Sequence, residues 1–135
     1  MQEFASILPH SMRKVENGHL GILEFADLPF VPKRIYWLTG VEVGKTRGLH
    51  AHKELRQFFI ALQGSVDIRL NDGTSDSFYT LRADGNGLLL APGIWRELTN
   101  FSHNAALLVV CDRPYSEEDY IRDYDQYLLW KLIDE

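Results

Sequence analysis

Apolar residues come in short runs broken by turn formers. HLGILEF (19–25), RIYWLTGV (34–41), QFFIAL (57–62), SVDIRL (65–70), SFYTL (77–81), GLLLAP (87–92) and AALLVVC (105–111) are rich in β-branched, aromatic or aliphatic residues. Between them lie Asn17-Gly18, Gln63-Gly64, Asn71-Asp72-Gly73, Asp84-Gly85-Asn86-Gly87 and Pro92-Gly93, each able to reverse the chain. SVDIRL alternates strictly, with Val66, Ile68 and Leu70 on one face and Asp67 and Arg69 on the other. Many short strands at this spacing predict an all-β sandwich or barrel, not a parallel α/β sheet. The last stretch differs. Ser116 followed by Glu117, Glu118 and Asp119 reads as a helix N-cap with an acidic first turn. Tyr124, Tyr127 and Leu128 recur at helical spacing, so 116–133 is expected to be a helical or irregular segment packed on the sheet. Nothing between 112 and 116 resembles a linker, and the whole of 1–135 is expected to form one domain.

Composition narrows the possible partners. A net charge of −5 gives no general attraction to nucleic acid, although one basic pocket is compatible with it. No apolar run approaches a membrane span, and MQEFASILPHSMRK has no basic segment leading into a long apolar stretch. Neither a membrane nor a nucleic acid is therefore expected as a partner. Cys111 is the single cysteine and ends an apolar run, which suits a core thiol in a reducing cytoplasm.

The candidate chemistry sits in residues 44–64, G-KTRGL-H-A-H-KELR-Q-FFIALQ-G. His50 and His52, two apart on a strand, share a face. A single histidine near a strand start is most often a surface polar residue. A pair on one face, followed at fixed distances by Gln57 and Gly64, points further. One use is metal binding, since transition metals favour imidazole and carboxylate. The spacing resembles a metal-binding cupin signature, but that signature's glutamate position holds Gln57 and PGIWRELTN (92–100) lacks the further histidine of its second half. The other use is acid–base chemistry, in which neutral imidazoles take and return protons. Tyr36, on the preceding strand, adds a hydroxyl to such a relay, and Arg47 is placed to clamp phosphate or pyrophosphate. Lys53, of opposite strand parity to His52, is expected outside.

RGLHAHKELRQFFIALQGSVDIRLNDG (47–73) carries a resemblance. So do Tyr36-Trp37 in RIYWL, LLLAPGIWREL (88–98), NFS (100–102), the apolar LLVV and the ending YSEEDYIRDYDQYL (115–128). In this order, over about positions 19–130, the chain resembles the dTDP-sugar 3,4-ketoisomerases. The resemblance implies a cupin fold, a double-stranded β-helix or jelly-roll barrel, in a homodimer whose N-terminal segment, to about Val31, adds a strand to the neighbouring subunit. It implies isomerisation of dTDP-4-keto-6-deoxy-D-glucose to a 3-keto sugar nucleotide for amino-sugar synthesis, with no metal or organic cofactor. On it, His50 and His52 match the catalytic pair, and Tyr36 and Arg47 match positions lining the active site. His50 then serves as base at C3, His52 shuttles and returns protons, Tyr36 holds the enediolate oxygen and Arg47 the pyrophosphate. Gln57, Phe59 and Trp95 are further substrate-binding candidates, the two aromatics for stacking thymine. Arg96 departs from the histidine expected after Ile-Trp and unsettles the pocket rim. Rival readings are a 3,5-epimerase-like enzyme, whose His–Asp dyad pattern no segment here resembles, a non-catalytic sugar-binding cupin, and a metal-dependent cupin dioxygenase. The C4 configuration of the product stays open.

Overall fold

The computed structural model describes residues 5–8 and 11–133. The strands are β1 (Ala5–Leu8), β2 (Ser11–Val15), β3 (Gly18–Ile22), β4 (Arg34–Thr39), β5 (Arg47–His52), β6 (Gln57–Gln63), β7 (Ser65–Asn71), β8 (Asp76–Arg82), β9 (Gly87–Leu90), β10 (Trp95–Thr99), β11 (Ala106–Cys111) and β12 (Tyr120–Ile121). One helix, α1 (Tyr124–Ile133), follows them. Two five-stranded sheets form, in the orders β1-β9-β6-β11-β4 and β12-β5-β10-β7-β8, and β2-β3 makes a separate hairpin. Every pairing is antiparallel. This is the expected all-β architecture with a short C-terminal helix.

The main core lies between the sheets. Phe59 and Ala61 from β6, Val66, Ile68 and Leu70 from β7, Leu88 and Leu90 from β9, and Leu107 and Val109 from β11 fill it. The alternation seen in SVDIRL thus sends its apolar set inward. QFFIA is buried on both faces, which is why it does not alternate. Its outward residues Phe58 and Ile60 are covered, with Val110, by Leu28 and Phe30 of the 25–33 crossover. The outer face of the second sheet is covered by α1, where Tyr127 packs against Trp95, Ala51 and Ile121. The Tyr127 hydroxyl donates to Gly93 O at 2.7 Å, with Asn71 O at 3.1 Å, and so ties the helix to the Pro92-Gly93 turn.

Three departures from the sequence reading have simple causes. The run at 19–25 stops at Ile22, and Phe25–Asp27 form a 3-10 turn. β10 was hidden in PGIWRELTN because Arg96 and Glu97 interrupt its apolar character. Finally, Ser116 makes no side-chain cap: Glu117–Asp119 are one 3-10 turn leading into β12, and the α-helix starts only at Tyr124. The acidic residues of that turn serve other partners.

Gly87 is a packing requirement. A Cβ there would lie 2.2 Å from Phe58 Cζ and 2.8 Å from Phe59 O. Gly87→Ala is therefore expected to destabilise the fold by about 1–3 kcal/mol, as overpacking does. Urea unfolding monitored by tryptophan fluorescence measures it, and an unchanged midpoint would show that Phe58 moves aside freely.

Candidate active site

The pair His50–His52 stands on the inner face of β5, and a bulge in that strand decides what accompanies it. β10 places Arg96 opposite His50 and Leu98 opposite Arg47, so two steps on β10 match three on β5. Gly48, at φ +69°, absorbs the extra residue. In a regular strand Arg47 and His50 would face opposite ways; a bulge re-aims a side chain in this manner. Arg47 thereby joins His50 in one cavity of ≈ 280 Å³, lined also by Tyr36, Trp37, Phe59 and Arg96.

A hydrogen-bonded line runs through the pair. His52 Nδ1 lies 3.0 Å from Asp119 Oδ2, and His50 Nε2 lies 3.1 Å from His52 Nε2. The other carboxylate oxygen accepts the Glu54 amide at 2.7 Å. The carboxylate accepts the hydrogen bond from His52 Nδ1–H, so His52 Nε2 must accept and His50 Nε2 must donate. The free basic nitrogen of the line is then His50 Nδ1. His52 is fully buried, whereas His50 is half-buried and borders the cavity. The Tyr120 ring closes over both imidazoles, with centroids 5.0 and 4.4 Å away.

The second polar group is equally connected. Gln57 is buried; its Nε2 donates to the Tyr36 hydroxyl at 3.2 Å and reaches Cys111 Sγ at 3.5 Å. Its Oε1 accepts from Arg96, whose other terminal nitrogen donates to Ile94 O at 3.3 Å. Burial pushes the Tyr36 hydroxyl pKa up. Burial, then the Arg96 guanidinium and His52, push His50 down to about 2; burial, Arg96 and Arg34 push His52 down to about 2. Both imidazoles are neutral at pH 7, as a proton acceptor must be. Burial also lowers Arg96, to about 10, which leaves it a cation.

The structure thus gathers His50, Tyr36, Arg47 and Phe59 around one cavity, with His52 and Gln57 hydrogen-bonded behind them. It does not bring Trp95 there. Trp95 points to the other face of β10, stacks on Tyr124 and Tyr127, and donates to Glu97. Trp37, 66% exposed, is the tryptophan at the cavity mouth. Arg96 belongs to the interior, not the rim, at 1% exposure. Asp119 was concealed by its place in an acidic helix-start pattern, and its contact with His52 spans 67 residues. Lys53 is exposed, as its parity requires.

Among the described residues no group of three or more His, Cys, Asp or Glu side chains is arranged around a metal position. No helix among them is long and apolar enough to cross a membrane.

The model of the WxcM-like, C-terminal family (FdtA) matches residues 3–131. The chain belongs to this family. Similar relatives include a TDP-4-oxo-6-deoxy-α-D-glucose-3,4-oxoisomerase of Aneurinibacillus thermoaerophilus, 36% identical over 108 residues, which are 80% of this chain and 78% of that protein. Among solved structures, a mutant of the 3,4-ketoisomerase QdtA from Thermoanaerobacterium thermosaccharolyticum, in complex with TDP-4-keto-6-deoxyglucose, superposes with a TM-score of 0.90. It is 36% identical, and the match covers 97% of this chain and 96% of QdtA. A 3,4-ketoisomerase from Helicobacter canadensis is 40% identical with a TM-score of 0.88, covering 95% and 97%. The likeness to these structures thus extends over nearly the whole chain.

The neutral imidazoles set a direction for acid sensitivity. Each pKa is near 6.5 when unfolded and about 2 when folded. The unfolded chain therefore binds more protons across that window. Stability is full above about pH 6.5 and falls as the pH drops, by at most about 1.4 kcal/mol per pH unit for each imidazole. His50→Asn should show a shallower acid loss than the wild type in denaturant titrations between about pH 6.5 and 4. Parallel slopes would mean that His50 is not held neutral.

Proposed function

We propose that this protein is a sugar-nucleotide 3,4-ketoisomerase that converts dTDP-4-keto-6-deoxy-D-glucose to the 3-keto isomer. The observation that carries the reading is the hydrogen-bonded line His50–His52–Asp119 beside a cavity, in a chain of this family. Moving a ketone from C4 to C3 is redox-neutral: C3 loses a proton and C4 gains one, so no external oxidant is required. A base must take the proton on C3, which the neighbouring ketone acidifies. The electron pair then spreads over an enediolate, a proton passes between O3 and O4, and C4 is reprotonated.

His50 Nδ1, the free nitrogen of the line, takes the C3 proton. As it charges, its Nε2 proton moves toward His52 Nε2, and Asp119 offsets the imidazolium that results, as a buried carboxylate does for any relay histidine. His52 and His50 then return a proton to C4. The Tyr36 hydroxyl, held by Gln57, donates to an enediolate oxygen. The ≈ 280 Å³ cavity suits the hexose alone, so the nucleotide lies outward. Arg47, exposed at the mouth, takes the diphosphate, and the exposed Trp37 ring offers thymine a stacking face.

Nuclear magnetic resonance of dTDP-4-keto-6-deoxyglucose incubated with the protein in D₂O tests this. A 3-keto product deuterated at C4 is expected. His50→Asn should slow turnover by at least about 10²-fold, and Asp119→Asn, which frees the wrong His52 tautomer, should fall between it and the wild type. Unchanged substrate bound to wild-type protein would instead indicate a sugar-binding cupin, and deuterium at C5 an epimerase.

We also propose a cytoplasmic homodimer of single-domain chains (1–135) in which the N-terminal strand is exchanged. Support comes from the edge position of β1: Ala5–Leu8 pair with β9 of the same chain, the pairing that an exchanged strand would make with the partner. The neighbouring residues 1–4 and 9–10 lie outside the described residues. The free, buried Cys111 suits a reducing compartment. Light scattering should give twice the chain mass; the mass of one chain would refute the dimer.

A further inference from the structure

Arg96 is a buried cation without a counter-ion. At 1% exposure it is the largest fully buried side chain among the described residues. Among the described residues it makes no ion pair; its partners are the amide oxygen of Gln57 and the carbonyl of Ile94, and its Nε has no partner at all. The nearest aromatic face, Phe59, stands 6.0 Å from the guanidinium carbon. Taking a guanidinium out of water costs several kcal/mol, and a carboxylate normally offsets it. The position from which one would do so is occupied by Gln57, a residue of nearly the same shape with no charge. Arg96 is among the residues that line the cavity holding His50 and Tyr36.

We propose that Arg96 supplies the fixed positive charge that stabilises the enediolate, and that Gln57 is the positioning residue that holds this guanidinium in place without neutralising it. The proposal rests on the ketoisomerase reading. When His50 takes the C3 proton, the electron pair of the C–H bond moves into the ketone and leaves one negative charge on the sugar oxygens. That charge disappears when C4 is reprotonated. A preformed cation in a water-poor cavity is stronger in this interval than before or after it, so its effect falls on the barrier and not on binding. The same charge disfavours protonation of His50 and His52 in the resting protein, which keeps the base ready. A glutamate at position 57 would pair with Arg96 and cancel both effects while preserving shape.

Gln57→Glu is the deciding variant. Its kcat is expected to fall about 10²- to 10³-fold, the range for loss of an oxyanion stabiliser, with KM and dTDP affinity within about threefold of the wild type. In the ligand-free protein, imidazole titrations by NMR should move up by about one pH unit or more as the Arg96 field is neutralised. A purely structural role for Gln57 would move neither. If Gln57→Glu does not fold, Arg96→Lys and Arg96→Met decide: the lysine variant, which keeps the charge, should outpace the methionine variant by at least about tenfold. Wild-type turnover with kcat of Gln57→Glu within threefold, or equal rates for the lysine and methionine variants, overturns the proposal and leaves the ketoisomerase reading standing. A wild-type protein that binds the sugar nucleotide without isomerising it overturns both.

Discussion

The hydrogen bond from His52 to Asp119 adds a buried side-chain tie between two parts of the chain that the short β5–β12 pairing also joins. It draws the segment after β11 across the mouth of the barrel, where β12 pairs with β5 through Tyr120 and His52. From there the backbone is committed to its exit toward α1, which covers the outer face of the second sheet. The same bond decides a tautomer. With the Nδ1 proton spoken for, every other donor and acceptor in the line has one assignment, and one basic nitrogen is left over. A structural tie and a chemical setting therefore come from a single contact.

The barrel interior divides into two ends with different requirements. Toward β7 and β9 it is filled by Leu, Ile, Val and Phe side chains, where burial alone stabilises and no partner need be found. Toward β4, β5 and β12 it holds two histidines, a tyrosine, a glutamine and an arginine. Each of these is costly to bury unless its polar atoms are matched. The matching is nearly complete: Asp119 and His50 serve His52, and Gln57 serves Tyr36, Arg96 and Cys111 at once. A site of this kind cannot be loosened at one point without leaving a buried group unpaired, which is what holds the side chains in their geometry before any ligand arrives.

Much of this was legible from periodicity. Seven apolar runs marked seven of the strands, and strict alternation in SVDIRL gave the inward face of β7 correctly. The shared face of His50 and His52 followed from their spacing. What failed were features set by contacts remote in sequence. Simple parity puts Arg47 and His50 on opposite faces, and only the bulge at Gly48 reconciles them. Trp95 and Arg96 lie where their residue types do not suggest, since an aromatic residue looks like a ligand platform and a charged one looks exposed. On β10 the neighbouring helix takes the tryptophan and the cavity takes the arginine. Asp119 stands in a string of acids that a helix start would also explain, and nothing local distinguishes it from Glu117 and Glu118. Glu117 bonds Arg122 and Tyr115 at the surface instead.

The glutamine at position 57 shows how the histidine spacing of a metal site supports a different electrostatic arrangement. In a metal site the cation is captured by imidazole lone pairs and a carboxylate, and the ligands lose their basicity to it. Here His52 already uses one nitrogen on Asp119 and the other on His50, and the Gln57 oxygen is engaged by a guanidinium. A metal held by both imidazoles and residue 57 would have to break these bonds. The positive charge comes instead from Arg96 on the opposite strand, close enough to bias the imidazoles toward neutrality but not bonded to them. The fixed charge and the neutral imidazoles thereby sit on separate residues. An arginine keeps its charge across the whole physiological range, so the imidazoles alone are left to change protonation during a reaction.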